Sequence, residues 1–270
     1  MKKRYVLIIC VFTVVLVTLA CQISIPDINI GYKGARGSGS VDVEARPVSG
    51  IISVHVANQG DLFITLGDEE ELVIEAEDNL LEYIESEVRN GELVLETRQG
   101  VNLRPRDPIR YYLTVKELDK ITVSSSGDVE APEFETDRFS INIQSSGNVD
   151  LGGLTVERLD VDISSSGDLW IGELSADQLD VTISSSGSLT IADGEVEYQD
   201  ISISSSGDYD GRNLKSQWAD VRLSSSGNAT IRVSDELDAD LSSSGDLKYI
   251  GDPSLNVRTS SSGDVIQLND

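Results

Sequence analysis

The chain has 270 residues, 47 acidic against 21 basic side chains, a formal charge of −26 and only 5% aromatic residues. That balance argues against nucleic acid and against an anionic membrane face as partners, since both reward Lys and Arg. One histidine and two cysteines leave almost no means for a zinc knuckle or a Cys–His catalytic pair.

Residues 1–21, MKKRYVLIICVFTVVLVTLAC, begin with Lys2, Lys3 and Arg4, run apolar from Val6 to Leu19 and close on Ala20–Cys21. A basic start and an apolar run shorter than the about 20 residues of a membrane span make a secretory signal over residues 1–20. Its end resembles the lipobox of bacterial lipoproteins, in which the cysteine is acylated and becomes the new N-terminus. Thr18 stands where the lipobox carries leucine, and cleavage without lipidation or an uncleaved anchor are the alternatives. The expectation is a lipidated Cys21, acyl chains as the membrane partner, and export to the bacterial cell envelope on either membrane. Residues 21–45 are Gly- and Ser-rich in the middle and read as a flexible tether spanning about 25–30 Å.

From residue 46 to 120 apolar residues alternate (Ile52, Val54 and Val56; Leu62 and Ile64) without a recurring motif. Pro105 and Pro108 fit only a loop or a sheet edge. From 121 to 270 a motif takes over. SSSG, once QSSG, places glycine at Gly127, Gly147, Gly167, Gly187, Gly207, Gly227, Gly245 and Gly263, spaced 20 residues five times and then 18 twice. Apolar residues alternate on both sides of each glycine: Val161 and Ile163 before Gly167, Leu169 and Ile171 after it.

Such a unit has too few inward side chains to fold alone and must stack on its copies. The expected fold is all-β, a right-handed parallel β-helix of about 20-residue coils, with 46–120 as irregular capping coils continuous with it. Stacked antiparallel hairpins are the alternative. In-register stacking sets each bend about 4.8 Å above the last, so the corner must be small, and glycine supplies positive φ if the bend needs it.

ISSSGDL and its copies, preceded by DNLLEYIESEVRNGELVLE (78–96) and PIRYYLTVKELDKITVSSSGDV (108–129), resemble the bacterial head GIN domain family of auto-transporter adhesins from about Pro47 onward. The family's usual corner is GSGD; serine replaces its first glycine here, so smallness is the requirement at that slot. The resemblance implies a pectin-lyase-like β-helix on the cell surface without catalytic residues.

Stacking turns 20-residue spacing into vertical columns. After the corner glycines stand Asp128, Asn148, Asp168, Ser188, Asp208, Asn228, Asp246 and Asp264, an alternation that halves like-charge repulsion while each side chain caps its turn. A second column, Ser140, Asp160, Asp180, Asp200, Asp220 and Asp238, either pairs with Arg158, splays into solvent or shares a calcium ion. A third, Arg138, Arg158, Gln178, Tyr198 and Trp218, mixes guanidinium groups and rings suited to sugar faces, or simply covers a turn edge. His55 reads as an ordinary strand residue.

No coil carries a long insertion that would wall a cleft, which disfavours an enzyme. The expectation is a non-enzymatic envelope lipoprotein that binds cell-wall or extracellular glycans or proteins, with no cofactor unless calcium. The alternatives are a lyase-like polysaccharide enzyme, a calcium-dependent glycan binder, and a structural or sensory spacer.

Overall fold

The structure, a computed structural model, describes residues 33–242, 244–260 and 262–269; the signal peptide, Cys21 and residues 22–32 lie outside the described residues. Apart from one 3-10 turn, Leu81–Tyr83, the described residues form strands and bends. The chain enters through β1 (Lys33–Arg36) and β2 (Val41–Arg46). Then come β3 (Ser53–Val56), β4 (Asp61–Leu66), β5 (Glu71–Glu77), β6 (Ile84–Arg89), β7 (Glu92–Thr97), β8 (Val101–Arg104), β9 (Arg110–Val115) and β10 (Lys120–Val123). From β11 (Val129–Glu135) and β12 (Arg138–Ile143) the chain repeats. Its long strands β13 (Val149–Ile163), β14 (Leu169–Ile183), β15 (Ser188–Ile203), β16 (Asp208–Leu223) and β17 (Ala229–Leu241) each wind once around the axis. β18 (Leu247–Ile250), β19 (Ser254–Thr259) and β20 (Val265–Leu268) make the final turn.

The strands from β10 to β20 pair in parallel. Val149 lies on Leu169, Leu154 on Leu174 and Leu159 on Leu179, a 20-residue offset around the whole coil. The fold is therefore a parallel β-solenoid of about seven turns, not a stack of hairpins. Each coil has three faces: in β13 these are Val149–Leu151, Gly153–Val156 and Arg158–Ile163. Period-two alternation sends Val149, Leu151, Leu154, Leu159, Val161 and Ile163 inward, all buried.

The corner glycines work by closeness rather than by dihedral freedom. Among the described glycines, positive φ falls on Gly39, Gly50, Gly91, Gly100, Gly194 and Gly251, and on none of the SSSG glycines. Instead, an added Cβ at each glycine from Gly147 to Gly245 would collide with the carbonyl oxygen of the glycine one coil below. Gly127 meets Gly60 in the same way, so Asn58–Gln59–Gly60 is an earlier copy of the bend with a different spelling.

Asp128, Asn148, Asp168, Asp208, Asn228 and Asp246, which follow the corners, do not cap their own turns; each accepts from the coil above. Asp128 Oδ1 takes the Asn148 N–H at 2.8 Å, Asn148 Oδ1 the Asp168 N–H at 3.0 Å, and Asp168 Oδ1 the Ser188 N–H at 2.8 Å. Asn148 Nδ2 also donates to Asp128 Oδ1 at 3.0 Å. Alternation thus gives a carboxylate a neighbouring donor as well as distance from its own kind. Asn148→Asp removes that donor and sets three carboxylates in line; the expected loss is about 1–2 kcal/mol in urea unfolding, greater at low salt.

A buried polar cluster enters the core of the regular coils. Gln199 takes a place that Leu159 and Leu179 hold in earlier coils, and it is fully buried. Its Nε2 donates to Ser216 Oγ at 2.7 Å and its Oε1 accepts from the Tyr209 hydroxyl at 3.0 Å, so neither end is left unpaired. Burial raises the Tyr209 pKa and keeps it the donor.

Below β11 the coils are irregular. β3 and β4 stay parallel to β10 and β11, but β2–β5, β5–β9 and β6–β7 pair antiparallel and close this end. Residues 33–45, assigned to the tether by composition, belong here: β1 pairs β8 and β2 pairs β5. Partners distant in the sequence, Glu77 for Val41 and Val73 for Ala45, order a Gly-rich segment that has no local pattern of its own.

Candidate functional site on the third face

The outer surface of the third face carries two of the predicted columns side by side. Arg138, Arg158, Gln178, Tyr198 and Trp218 lie in register on successive coils, as do Ser140, Asp160, Asp180, Asp200, Asp220 and Asp238. The first column climbs from arginine to exposed aromatic: Arg158, Gln178 and Tyr198 are half-buried and Trp218 is 40% exposed.

Two arginines thread the aspartate column. Arg158 reaches Asp160 at 3.0 Å and Asp180 at 2.8 Å. Arg222, two residues further along its strand than Asp220, bridges Asp200 at 2.9 Å and Asp220 at 2.6 Å. Gln178 links the columns, accepting from Arg158 Nη1 at 3.1 Å and donating to Asp180 at 3.3 Å. Burial is the largest influence on Asp180 and Asp220 and raises both pKa values, although Arg158 and Arg222 pull them down. Burial and then Asp200 and Asp220 raise that of Tyr198, which stays a neutral phenol. The cations between these carboxylates are guanidinium groups. Among the described residues no three or more His, Cys, Asp or Glu side chains converge as a metal-ligand set.

A groove of about 1150 Å³ runs along the corner between the second and third faces. Val156, Val196 and Val233 form its buried floor, and its third-face wall is Asp137, Glu157, Asp177, Glu197 and Gln217. Each of these wall residues directly precedes a member of the Arg–aromatic column, so groove and column share an edge. Sequence alternation does not find the groove because the in–out rule lapses at a corner; the column at one residue before Arg158 and its copies is the signal that was available. His55 Nε2 lies 2.6 Å from Ser124 Oγ in the capping coils, away from this site.

No helix among the described residues is long and apolar enough to cross a membrane. No curated protein matches the sequence. Several solved structures share the fold. One, from Parabacteroides merdae and described as a "putative adhesin", has TM-score 0.83 at 20% identity and covers 87% of this chain and 99% of its own. A second, from Parabacteroides distasonis and described as a "putative lipid binding protein", has TM-score 0.81 at 24% identity over 87% of this chain and all of its own. A third, another "putative adhesin" of Parabacteroides distasonis, has TM-score 0.75 at 22% identity over the same shares. Residues 52–172 and 167–253 match the family described as "Putative auto-transporter adhesin, head GIN domain". With the parallel coils and a broad, uninterrupted lateral face already in hand, that match places the chain in the head GIN domain family of auto-transporter adhesins.

Proposed function

We propose that this protein is a non-enzymatic adhesin of the bacterial envelope, anchored by acyl chains on Cys21, whose third face binds extracellular or cell-wall glycans. The family supports a surface binding role. The observation that carries the glycan reading is the placement of Tyr198 and Trp218 on adjacent coils beside Arg222, which is locked to two aspartates. Rings on a flat sheet stack on sugar faces, and prefixed guanidinium and carboxylate groups meet hydroxyls at little entropic cost. Arg158 and Gln178 continue the same surface for a polymeric ligand. The uninterrupted coils, with no long side loop to wall a catalytic cleft, support a binder over an enzyme.

The test is a glycan array followed by titration of the best binder. Trp218→Ala is expected to weaken binding at least tenfold. Trp170→Ala is the matched control: it is 42% exposed but lies on the first face. Binding is expected to survive EDTA, since arginines already bridge the carboxylates. Equal losses from both tryptophan variants, or none from either, would remove the third face as the site. Hydrolysis or elimination of the bound polymer would overturn the non-enzymatic reading.

A further inference from the structure

We infer that the last described coil is a self-association surface, on which two copies join tail to tail through antiparallel pairing of their β19 strands. The inward columns are buried in every earlier coil and then open abruptly. Leu159, Leu179, Gln199, Ala219 and Leu237 are closed to solvent, yet Leu255, next in the column, is 49% exposed. Val161, Val181, Ile201, Val221 and Ala239 are buried, and Val257 above them is 38% exposed. β19 pairs in register only with β17 and β20 only with β18, so among the described residues both present a free edge over an uncovered core. Such an edge is a template for another strand.

Three features select a second copy as the occupant. The final turn is electrically balanced: Lys248 and Arg258 offset Asp252 and Asp264 between Leu247 and Leu268. In a chain of charge −26, this is a surface where two copies meet without strong like-charge repulsion. The opposite end is crossed by antiparallel strands; exposed Val41 and Val43 on β2 alternate there with Asp42 and Glu44, and the Arg46 guanidinium binds the carbonyls of Leu81 and Ile84. It offers no matching open coil, and a head-to-tail contact would polymerise rather than close. Period-two alternation then limits the register, because only odd-on-odd pairing keeps Leu255 and Val257 on the buried side. The pairing centred on Asn256 sets Leu255 against Val257 and Ser254 against Arg258, and keeps Arg258 away from its own copy.

The dimer places the two capped ends at opposite poles. Joined with the anchored adhesin proposed above, on which this one consequence rests, it would bridge two surfaces by self-recognition.

Sedimentation of the purified protein is expected to give a dimer that dissociates on dilution, and Leu255→Lys/Val257→Lys to give a monomer with unchanged β-sheet circular dichroism. Asn256→Cys is expected to yield a covalent dimer with a short thiol cross-linker beyond any formed by the parent. A monomeric parent at micromolar concentration, a polymer, a dimer indifferent to the double substitution, or no cross-link at position 256 would each overturn the inference. Glycan binding by the monomeric variant separates this surface from the third face: its loss of dimerisation leaves Trp218-dependent binding intact.

Discussion

Gly187→Ala is expected to destabilise the protein by about 3 kcal/mol or more, enough to lower expression or prevent folding. The added Cβ would lie well under 3.0 Å from the Gly167 carbonyl oxygen, 2.7 Å from Ile163 Cγ2 and 2.9 Å from Ser165 O. Two of those three atoms are backbone of the coil beneath, which hydrogen bonds already tie to this bend. Gly187 N–H donates to Ser165 O at 2.9 Å, and Ser184 N–H to Ile163 O at 2.9 Å. Relief therefore requires prising two coils apart at a corner, which stretches hydrogen bonds on both flanking faces. Because the coils stack in series, the strain passes to neighbours rather than dissipating in solvent. Ser184→Ala, at an exposed position of the same bend, is the control and should stay within about 0.5 kcal/mol of the parent. Equal stability of the two variants in urea would mean that the corners are looser than their geometry requires. The same reasoning predicts a comparable effect at Gly127, whose added Cβ would meet the Gly60 carbonyl oxygen although that earlier bend is spelled ANQG.

The bend at Gly60 marks the border between what was legible in the sequence and what was not. Where composition repeats, the register could be read directly. The columns through Arg158 and Asp160 fall on Gln178 and Asp180, then on Tyr198 and Asp200, as spacing alone requires. Even the shorter coil keeps the third face aligned, with Asp220 on Asp238, because the shift in register falls between Gly211 and Trp218 on the preceding faces. Where the same geometry is met by other residues, spacing is silent. Asn58 replaces a serine yet holds the bend from its own side chain, donating to the Tyr111 hydroxyl and accepting the Gly60 N–H at 3.1 Å. Gln199 sits at an inward position that a hydrophobicity pattern scores as an error, and only its three-dimensional partners Tyr209 and Ser216 explain it. β2 alternates as VDVEAR but takes its partner from β5, and non-local pairing leaves little trace in local sequence.

The candidate site was legible to a similar depth. Both columns of the third face followed from the repeat, as did Arg158 as a partner for the aspartates. Arg222 did not, because it lies two positions along the strand, in a mixed column that runs Asn142, Asp162, Thr182, Ser202, Arg222, Asp240 and Arg258. A guanidinium spans two coils and two columns at once, so its role depends on side-chain reach rather than on spacing. The groove escaped for a different reason: a corner residue belongs to neither face, and its exposure is set by how sharply the chain bends.

Glu77→Ala is expected to cost about 3 kcal/mol, concentrated in the closed end. Glu77 projects from β5 into a fully buried position. Its Oε1 accepts the Gly39 N–H at 2.6 Å and its Oε2 the Arg106 N–H at 2.8 Å, pinning the β1–β2 loop to the segment after β8. Gly37 passes so close that any Cβ there would overlap the carboxylate. Burial would by itself raise the carboxyl pKa, but the N–H groups of Arg106, Gly39 and Asp107 together outweigh it and hold the value below 4.5. A folded pKa below the unfolded one means that Glu77 stabilises fully above pH 4.5, and that this contribution is lost as pH falls through the lower folded value. Asp180 and Asp220 run the other way. Their folded values lie above 3.8, so the native state holds protons the unfolded chain has released, and acidification from neutral pH relieves them. The parent should therefore melt at a slightly higher temperature as pH falls toward 4.5 and at a sharply lower one below it; Glu77→Ala should lack the added acid loss. Glu77→Gln separates charge from shape: it keeps the volume but turns an NH₂ toward one of two N–H donors, so it should be nearly as damaging as alanine. Hydrogen exchange should speed first in β1, β2 and β8 while β13 to β17 stay protected. Uniform exchange across the solenoid would instead mean that this carboxylate supports the whole fold rather than its closed end.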